Sequence, residues 1–252
     1  SDPGDLWLQG NPPPVYYQRT KGKRSIMERV ICLLIGYVFG LFQTAYFYGK
    51  AKGIDIRKYG SGNAGTTNAL RVLGTKAGLI VLAGDCLKCI IAVCRALFST
   101  GHPENIYLLC LYTGAGAVIG HNFPFYMGFK GGKGIAATAG LILSFHPYFI
   151  VMGVVLFFGT FLTTHYVSLG SLLVYAGFMI QMVVCGQMGL FGAMPQSQLY
   201  EMYAITAFLT VMAYWKHRQN IVRLIHGNER KTYLFKNKKS AEAQTEISGE
   251  DK

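Results

Sequence analysis

The fold of this chain is decided by residues 134–200, which read GIAATAGLILSFHPYFIVMGVVLFFGTFLTTHYVSLGSLLVYAGFMIQMVVCGQMGLFGAMPQSQLY. These 67 residues contain no Asp, Glu, Lys or Arg. As a helix that rises about 1.5 Å per residue they would extend roughly 100 Å, enough to cross a hydrocarbon core of about 30 Å three times. Three further apolar runs lie at 30–49, 77–98 and 106–129. The sequence therefore predicts an all-α integral membrane protein.

The composition excludes the other classes of chain. Of the 252 residues, 51% are apolar and only 14% are charged, whereas soluble domains carry about 25% charged residues. The 32 Phe and Tyr side chains argue against disorder. All six cysteines lie in apolar runs, and Cys86-x-x-Cys89 is interpreted as apolar packing on a helix rather than as a redox or metal pair.

Seven transmembrane helices are predicted, one of them short. We expect a flexible tail at 1–25, a single multi-span domain at 26–229 and a polar tail at 230–252. Pro147 ends the short fourth span, because the residue before a proline avoids helical geometry. A single span across Pro147 would give six crossings instead and is the alternative. The expected spans are 27–49, 77–98, 106–122, 134–146, 148–165, 169–189 and 199–216.

The basic residues predict the orientation. With seven spans, 17 Lys and Arg residues lie on the face that carries the loops 50–76 and 123–133 and the tail from Lys216, against five on the other face. The positive-inside rule makes the first face cytoplasmic and the N-terminus external. The basic residues just before the first span argue against this orientation.

A first loop, YGSGNAGTTNALR at 59–71, has the composition of an anion site. Its glycines let backbone N–H groups approach a ligand, and an Arg fork fits phosphate. A helix beginning near Thr66 would add its positive N-terminus. An ordinary polar loop is the alternative. The candidate binding residues are Ser61, Gly62, Asn63, Thr67, Asn68 and Arg71.

A second loop, GHNFPFYMGFKGGKG at 120–134, repeats this character before an apolar helix. It is not a Walker A loop, because the spacing is short by one residue and Gly134 stands where Ser or Thr is needed. Lysines that snorkel at a membrane surface are the alternative. The candidates are Lys130, Gly131, Gly132, Lys133 and Gly134.

Two more segments carry candidates. Ser168 and Ser171 lie in HYVSLGS at 165–171, where bonding to the helix's own carbonyls is the simpler interpretation. After the last span, His217 and Asn220 share a helix face, and Glu229 is the acid placed to anchor this basic segment.

Asp85 and Lys88 form an i, i+3 pair within the second span. A charge inside a membrane is costly unless it is paired, so such a pair marks either a site or a structural support. We favour a structural role for both residues.

Four strings together resemble the bacterial acyl-phosphate:glycerol-3-phosphate acyltransferase family. The resemblance runs from about Ile26 to Glu229, and Asp85-x-x-Lys88 also fits it. It departs from the family at Cys89, where Gly is expected, and at Thr164-His165, where a basic residue is expected. The strings are GSGNAGTTNALRVLG (60–74), GHNFPFYMGFKGGKGIAAT (120–138), YVSLGS (166–171) and HRQNIVRLIHGNE (217–229).

The resemblance implies transfer of an acyl chain from acyl phosphate to the 1-hydroxyl of glycerol 3-phosphate. The products would be lysophosphatidate and phosphate, in the first step of phospholipid synthesis. It implies seven spans in the bacterial cytoplasmic membrane, an external N-terminus and a cytoplasmic active site. The residues implied to be catalytic are His217, Asn220, Ser61, Arg71 and Lys133.

The resemblance also divides the roles within the site. Ser61, Arg71, Lys133 and Ser171 would bind phosphate. His217 and Asn220 would orient glycerol 3-phosphate, and Glu229 would brace them. Lys130 and the glycines at 131, 132 and 134 would line the site.

The expected mechanism needs no covalent nucleophile. His217 acts either as a base or only in positioning, and the family interpretation prefers that the donor's own phosphate takes the proton. No His is followed within ten residues by Asp, so the H-x-x-x-x-D box of acyl-CoA-type enzymes is missing. Membrane lipid is the expected environment, with no cofactor, metal, nucleic acid or obligate protein partner. An organic-phosphate transporter and a lipid scaffold are the alternatives.

Overall fold

The computed structural model describes residues 15–100 and 106–233, and within them the regular structure is entirely helical. Two 3-10 turns, Ile56–Lys58 and Phe125–Met127, lie in the loops. The helices are α1 (Val15–Gly40), α2 (Thr44–Ala51), α3 (Thr66–Leu73), α4 (Thr75–Thr100), α5 (Ile106–Asn122), α6 (Ile135–Phe145), α7 (Pro147–Thr164), α8 (Val167–Gln187), α9 (Gln196–Lys216) and α10 (Arg218–Ile225).

Five segments of the described chain are long and apolar enough to cross a membrane: Ser25–Ala51, Thr75–Phe98, Ile106–Met127, Pro147–Thr164 and Val167–Gln187. Helix α6 is apolar but has only 11 residues, or about 16 Å of length. Helix α9 is long enough but less apolar, and it contains Glu201. The count of seven spans therefore stays a prediction.

The two ends of the first predicted span differ from expectation. Helix α1 already begins at Val15, so residues 15–25 of the expected tail are helical, and the flexibility of the tail stays a prediction. The run after Pro14 contains no further proline, so nothing in it forbids an early start of the helix. Residues 1–14 lie outside the described residues. The span is also not continuous, because the helix stops at Gly40 and resumes at Thr44.

The break between α1 and α2 is stabilised by the pair in α4. Lys88 Nζ contacts Asp85 Oδ1 at 2.9 Å and donates to the carbonyl oxygens of Gly40 (3.3 Å) and Phe42 (2.6 Å). Thr44 donates to the same Asp85 oxygen at 2.9 Å. Lys88 and Asp85 are almost fully buried. These contacts indicate a structural role for the pair, which binds carbonyl groups that no helix satisfies.

The chain reverses direction at His146, as the proline predicts. His146 has extended backbone angles (φ −158°, ψ 142°) between α6 and α7. A Cβ placed on Gly153 would lie 3.6 Å from Ile142 Cγ2. Eleven residues along one continuous helix would separate these positions by about 16 Å. The single span across Pro147 is therefore not formed.

Helices α1 and α5 pack with their backbones in direct contact. A Cβ on Gly36 would overlap the carbonyl oxygen of Thr113, and one on Gly116 would overlap that of Leu33. Small residues permit such close packing between membrane helices. This contact fixes the end of α5, from which the second loop starts.

Candidate active site

A cavity of about 810 Å³ opens at the end of the bundle where the loops meet. All four polar stretches line it, although they lie up to 170 residues apart in the sequence. Every residue predicted to bind substrate is among those lining it: Ser61, Gly62, Asn63, Thr67, Asn68, Arg71, Lys130, Gly131, Gly132, Lys133, Gly134, Ser168, Ser171, His217 and Asn220.

The cavity is strongly cationic. Nine Lys and Arg residues line it, against three Asp and Glu residues. Of the acids, Asp55 is bound by Arg57 at 2.8 Å, and this partner lowers the pKa of Asp55 to about 2. Glu229 is bound by Arg223 at 2.7 Å. Several cations therefore face the cavity without a carboxylate, as an anionic ligand requires.

Asn68 shapes the first loop. Its Nδ2 donates to the carbonyl oxygens of Ile56 (3.1 Å) and Tyr59 (3.0 Å), and its Oδ1 accepts from the backbone N–H of Ser61 at 2.8 Å. The side chain is 1% exposed. All of these hydrogen bonds go to backbone groups of residues 56–61, so Asn68 stabilises the first loop and the 3-10 turn before it.

Arg71 projects from the last turn of α3, which begins at Thr66 as the sequence predicts. Its side chain is half-buried and makes no hydrogen bond or ion pair within the described residues. Burial and then the positive charge of Arg230 lower the pKa of Arg71 below its usual value. A guanidinium in this setting is available to an anion from the cavity.

The second loop needs its glycines for close packing. A Cβ on Gly132 would overlap His121 Nε2 and would lie 2.9 Å from the carbonyl oxygen of Ala64. The backbone N–H of Gly132 donates to the His121 carbonyl at 3.2 Å. The second loop therefore rests against the end of α5 and against the first loop.

Lys133 joins the second loop to the segment after α9. Its Nζ donates to Asn220 Oδ1, and Asn220 Nδ2 donates to Glu229 Oε1 at 2.6 Å. Ser168 in α8 donates to the same Glu229 oxygen at 3.0 Å, and Arg223 binds the other one. Burial lowers the pKa of Lys133 to about 8. Glu229 thus joins α8 to α10, and through Asn220 it is linked to the second loop.

His217 lies at the junction of α9 and α10 and is 3% exposed. Its Nδ1 lies 2.8 Å from the carbonyl oxygen of Ala213, which can only accept, so Nδ1 carries the proton and Nε2 is an acceptor. Burial, reinforced by the charge of Lys133, lowers the pKa of His217 to about 4. The ring is therefore neutral at physiological pH.

The two serines of α8 differ. Ser168 bonds to Glu229, whereas the Ser171 hydroxyl donates to the Val167 carbonyl of its own helix at 2.7 Å. Ser171 still lines the cavity and keeps its oxygen as an acceptor. Ser171 thus bonds to a carbonyl of its own helix, which was the simpler interpretation of the sequence.

Several residues of the site were not singled out from the sequence. Thr66 has a buried hydroxyl without a partner among the described residues, and it lines the cavity. Lys216 donates to the Asn122 carbonyl at 2.8 Å and ties α9 to the second loop. His121 contacts Lys88 at 2.8 Å. Thr66 and His121 lie inside the two quoted loops, and this position in the motifs could have identified them from the sequence. Arg230 and Thr232 lie after the last motif, and no sequence pattern identifies them.

No group of three or more His, Cys, Asp or Glu side chains in the described chain is arranged to hold a metal ion. Cys86 donates to the Ala136 carbonyl at 3.1 Å, and a Cβ on Gly140 would lie 2.9 Å from Cys89 Cβ, so both cysteines pack against α6.

The fold and the cavity together define a class, a polytopic helical membrane protein with a cationic site at one end of its bundle. The family model described as glycerol-3-phosphate acyltransferase matches residues 30–227. This chain belongs to that family, and it is an integral membrane protein. The bacterial family predicted from the four strings is thus confirmed, with the match lying inside the predicted domain at 26–229.

Individual relatives agree with this assignment. A glycerol-3-phosphate acyltransferase of Halalkalibacterium halodurans is 41% identical over 207 residues, which cover 81% of this chain and 96% of the relative. One from Clostridioides difficile is 37% identical over 209 residues, covering 82% and 97%.

Two solved structures are similar to the fold. The glycerol 3-phosphate form of PlsY (YgiH), an integral membrane glycerol 3-phosphate acyltransferase, is 30% identical with a TM-score of 0.69 and covers 81% of this chain and 96% of that one. The lysophosphatidic acid form of the same enzyme has a TM-score of 0.66, with 30% identity and coverage of 82% and 96%.

Proposed function

We propose that this protein transfers an acyl chain from acyl phosphate to the 1-hydroxyl of glycerol 3-phosphate and releases lysophosphatidate and phosphate. The observation that carries the proposal is the network in which Lys133, Asn220 and Glu229 join two sequence-distant stretches at a cationic cavity. Two phosphorylated reactants need such a surplus of positive charge. We also propose that the enzyme lies in the bacterial cytoplasmic membrane with its cavity facing the cytoplasm.

Phosphate recognition is assigned to the loops. Arg71 offers a planar fork without a partner among the described residues, and Lys133 offers an ammonium group beside it. The start of α3 adds backbone N–H groups and the free Thr66 hydroxyl. Ser61, Gly62, Asn63 and Thr67 complete the first loop's contacts, and Lys130, Ser168 and Ser171 line the same cavity.

Glycerol 3-phosphate is oriented by the segment after α9. Asn220 is held by Lys133 and Glu229, and His217 presents Nε2 as an acceptor for a hydroxyl proton. Holding the 1-hydroxyl against the acyl carbonyl in this way is a proximity effect that can reach about 7–11 kcal/mol. No acyl-enzyme intermediate is needed, because phosphate is already a good leaving group.

The proton of the attacking hydroxyl goes to the departing phosphate. As the hydroxyl oxygen bonds to the acyl carbon, the bond from that carbon to the phosphate oxygen breaks, and the phosphate oxygen takes up the proton. A base with a pKa of about 4 is weak for a reaction near pH 7, which favours positioning as the role of His217. Lys133 and Arg71 stabilise the negative charge that develops. The acyl chain lies among the apolar helices in the bilayer.

The experiment supplies purified protein with glycerol 3-phosphate and either acyl phosphate or an acyl-CoA. We expect lysophosphatidate from acyl phosphate alone. Arg71→Ala and Lys133→Ala should lower turnover at least 100-fold with expression unchanged. The matched control is Lys76→Ala, an exposed cation on α4 outside the cavity, which should keep wild-type turnover.

Two outcomes would contradict the proposal. Product from acyl-CoA but not from acyl phosphate would remove the assigned donor. Flux of glycerol 3-phosphate across vesicles without any acylated product would instead support a transporter.

A further inference from the structure

Residues 229–233 form a strap across the turn between α7 and α8. The backbone N–H of Thr232 donates to the His165 carbonyl at 2.9 Å, and Thr232 is 7% exposed. The ring of Tyr233 packs against that of His165, with centroids 4.7 Å apart. At its other end the strap is fixed by the hydrogen bonds of Glu229 to Ser168, Asn220 and Arg223. The strap is thus anchored on both sides of Arg230.

Arg230 lines the cavity between these anchors. It makes no hydrogen bond or ion pair with any residue of the described ranges, and the same holds for Arg71 at the end of the first loop. The side chains of Arg230 and Arg71 line the same cavity, and after burial the positive charge of Arg230 contributes to lowering the pKa of Arg71. Glu229, the nearest carboxylate, is already bound on both oxygens.

We propose that the strap presents Arg230 opposite Arg71 as a two-guanidinium clamp for a phosphate monoester dianion. Two like charges facing each other without a carboxylate between them repel, and a dianion placed between them turns that repulsion into attraction. Guanidinium forks also match phosphate oxygens in geometry. The strap begins two residues after the end of the family match at residue 227, so Arg230 lies outside that match.

The inference rests on the proposed function, because both reactants of that function carry a phosphate group. The dianion belongs either to glycerol 3-phosphate or to the head of acyl phosphate. Separate saturation curves for the two substrates distinguish these sources. Binding of inorganic phosphate to the purified protein, followed by calorimetry, tests the clamp without any reaction.

The first experiment compares Arg230→Gln with Lys231→Gln. Lys231 is the adjacent strap cation, it lies over the Tyr166 ring, and it does not line the cavity. We expect Arg230→Gln to weaken phosphate binding about 10-fold or more and to raise the KM of one substrate by a similar factor, since a hydrogen bond to a charged group contributes about 1.5–3 kcal/mol. Lys231→Gln should change either quantity less than 2-fold, and Arg230→Lys should restore part of the loss.

A second variant tests the strap itself. Tyr233→Ala removes the ring that packs on His165, and it should raise the KM of the same substrate whose KM rises in Arg230→Gln. The KM of the double variant should not exceed that of Arg230→Gln alone. Equal phosphate affinity and KM values in Arg230→Gln, Lys231→Gln and the wild type would overturn the clamp. Wild-type protein that binds phosphate but forms no lysophosphatidate would refute the proposed function and leave the binding comparison to decide the clamp.

Discussion

Lys133 is the residue on which the site depends most, because it connects stretches 87 positions apart in the sequence. The surrounding loops bury its ammonium group, and this burial lowers the pKa of Lys133 to about 8. The cation is therefore present at pH 7 and is lost as the pH rises through 8. Its partner Asn220 is neutral and leaves the charge available to a phosphate.

The depressed pKa of Lys133 predicts an alkaline limb in activity. The kcat/KM of the wild type should fall up to tenfold per pH unit above about pH 8, since this quantity reports the free enzyme. In Lys133→Arg the residual activity should lack that limb, because a guanidinium stays protonated. The measurement is a pH profile of initial rates from pH 6 to 10. A limb of unchanged position in Lys133→Arg would show that another group titrates.

Asn220 predicts a selective defect. Asn220→Ala removes the acceptor of Lys133 and the donor to Glu229, so we expect the KM for glycerol 3-phosphate to rise about tenfold or more, with a smaller change in the KM for acyl phosphate. Steady-state kinetics with each substrate varied checks this. An unchanged requirement for glycerol 3-phosphate would refute the role assigned to Asn220.

At this scale the sequence predicted which residues gather but not how each is used. Dense glycine, hydroxyl and amide residues with Arg71 or Lys133 sufficed to find the cavity lining. The backbone contacts of Asn68 could not be foreseen, because they depend on the path of its own loop. The clamp residue Arg230 was missed because one more cation in a basic tail carries no pattern.

At the scale of the helices, one buried pair holds a break in the first span. Gln43 supports it by donating to the carbonyl oxygens of Gly40 (3.2 Å) and His121 (3.0 Å). The break could not be predicted, since residues 30–49 read as one uninterrupted apolar run. The end at His146 could be predicted because a proline acts on its own neighbour.

Lys88→Met should destabilise the fold more than a double change. Removing one partner leaves Asp85 charged and buried, which costs about 3–5 kcal/mol. Asp85→Leu together with Lys88→Met leaves no unpaired charge, so we expect its Tm in detergent to lie above that of Lys88→Met. Thermal unfolding of the three proteins is the measurement. A double variant less stable than the single one would contradict the pairing.

Two glycine-to-alanine substitutions, at Gly132 and at Gly159, should have opposite effects. Gly132→Ala would drive its methyl group into His121 and should abolish turnover by displacing the second loop. Gly159→Ala is the matched control, because a Cβ there meets nothing within 4 Å, and replacing a helix glycine stabilises by roughly 0.5–1 kcal/mol. Activity and Tm are measured together. Normal turnover in Gly132→Ala would show that the loops tolerate separation.

For the whole molecule, the cationic cavity and the loop after α8 lie at opposite ends of the bundle. Tyr59 beside the cavity and Met188 beyond α8 are 50% and 79% exposed. In sealed vesicles, we expect an impermeant maleimide to label Tyr59→Cys only from the cytoplasmic side and Met188→Cys only from the outside, above the background of the native cysteines. Labelling of both from one side would contradict the orientation.

Charge distribution and helix parity predict which loops share a face, because loops of one parity must lie on the same side, and the side of the membrane that the cavity faces stays a prediction. The number of membrane crossings could not be predicted as firmly from the sequence. Helix α6 is too short to span a bilayer alone and α9 is only moderately apolar, so their depth depends on their neighbours rather than on their own sequences.

The central claim is that both reactants occupy one cavity and that the acyl group passes directly between them. Initial rates measured while acyl phosphate and glycerol 3-phosphate are both varied test it most directly. The account predicts intersecting double-reciprocal lines, as a ternary complex requires, with no acyl group left on the protein. Parallel lines, together with protein that carries the acyl chain after exposure to acyl phosphate alone, would contradict it.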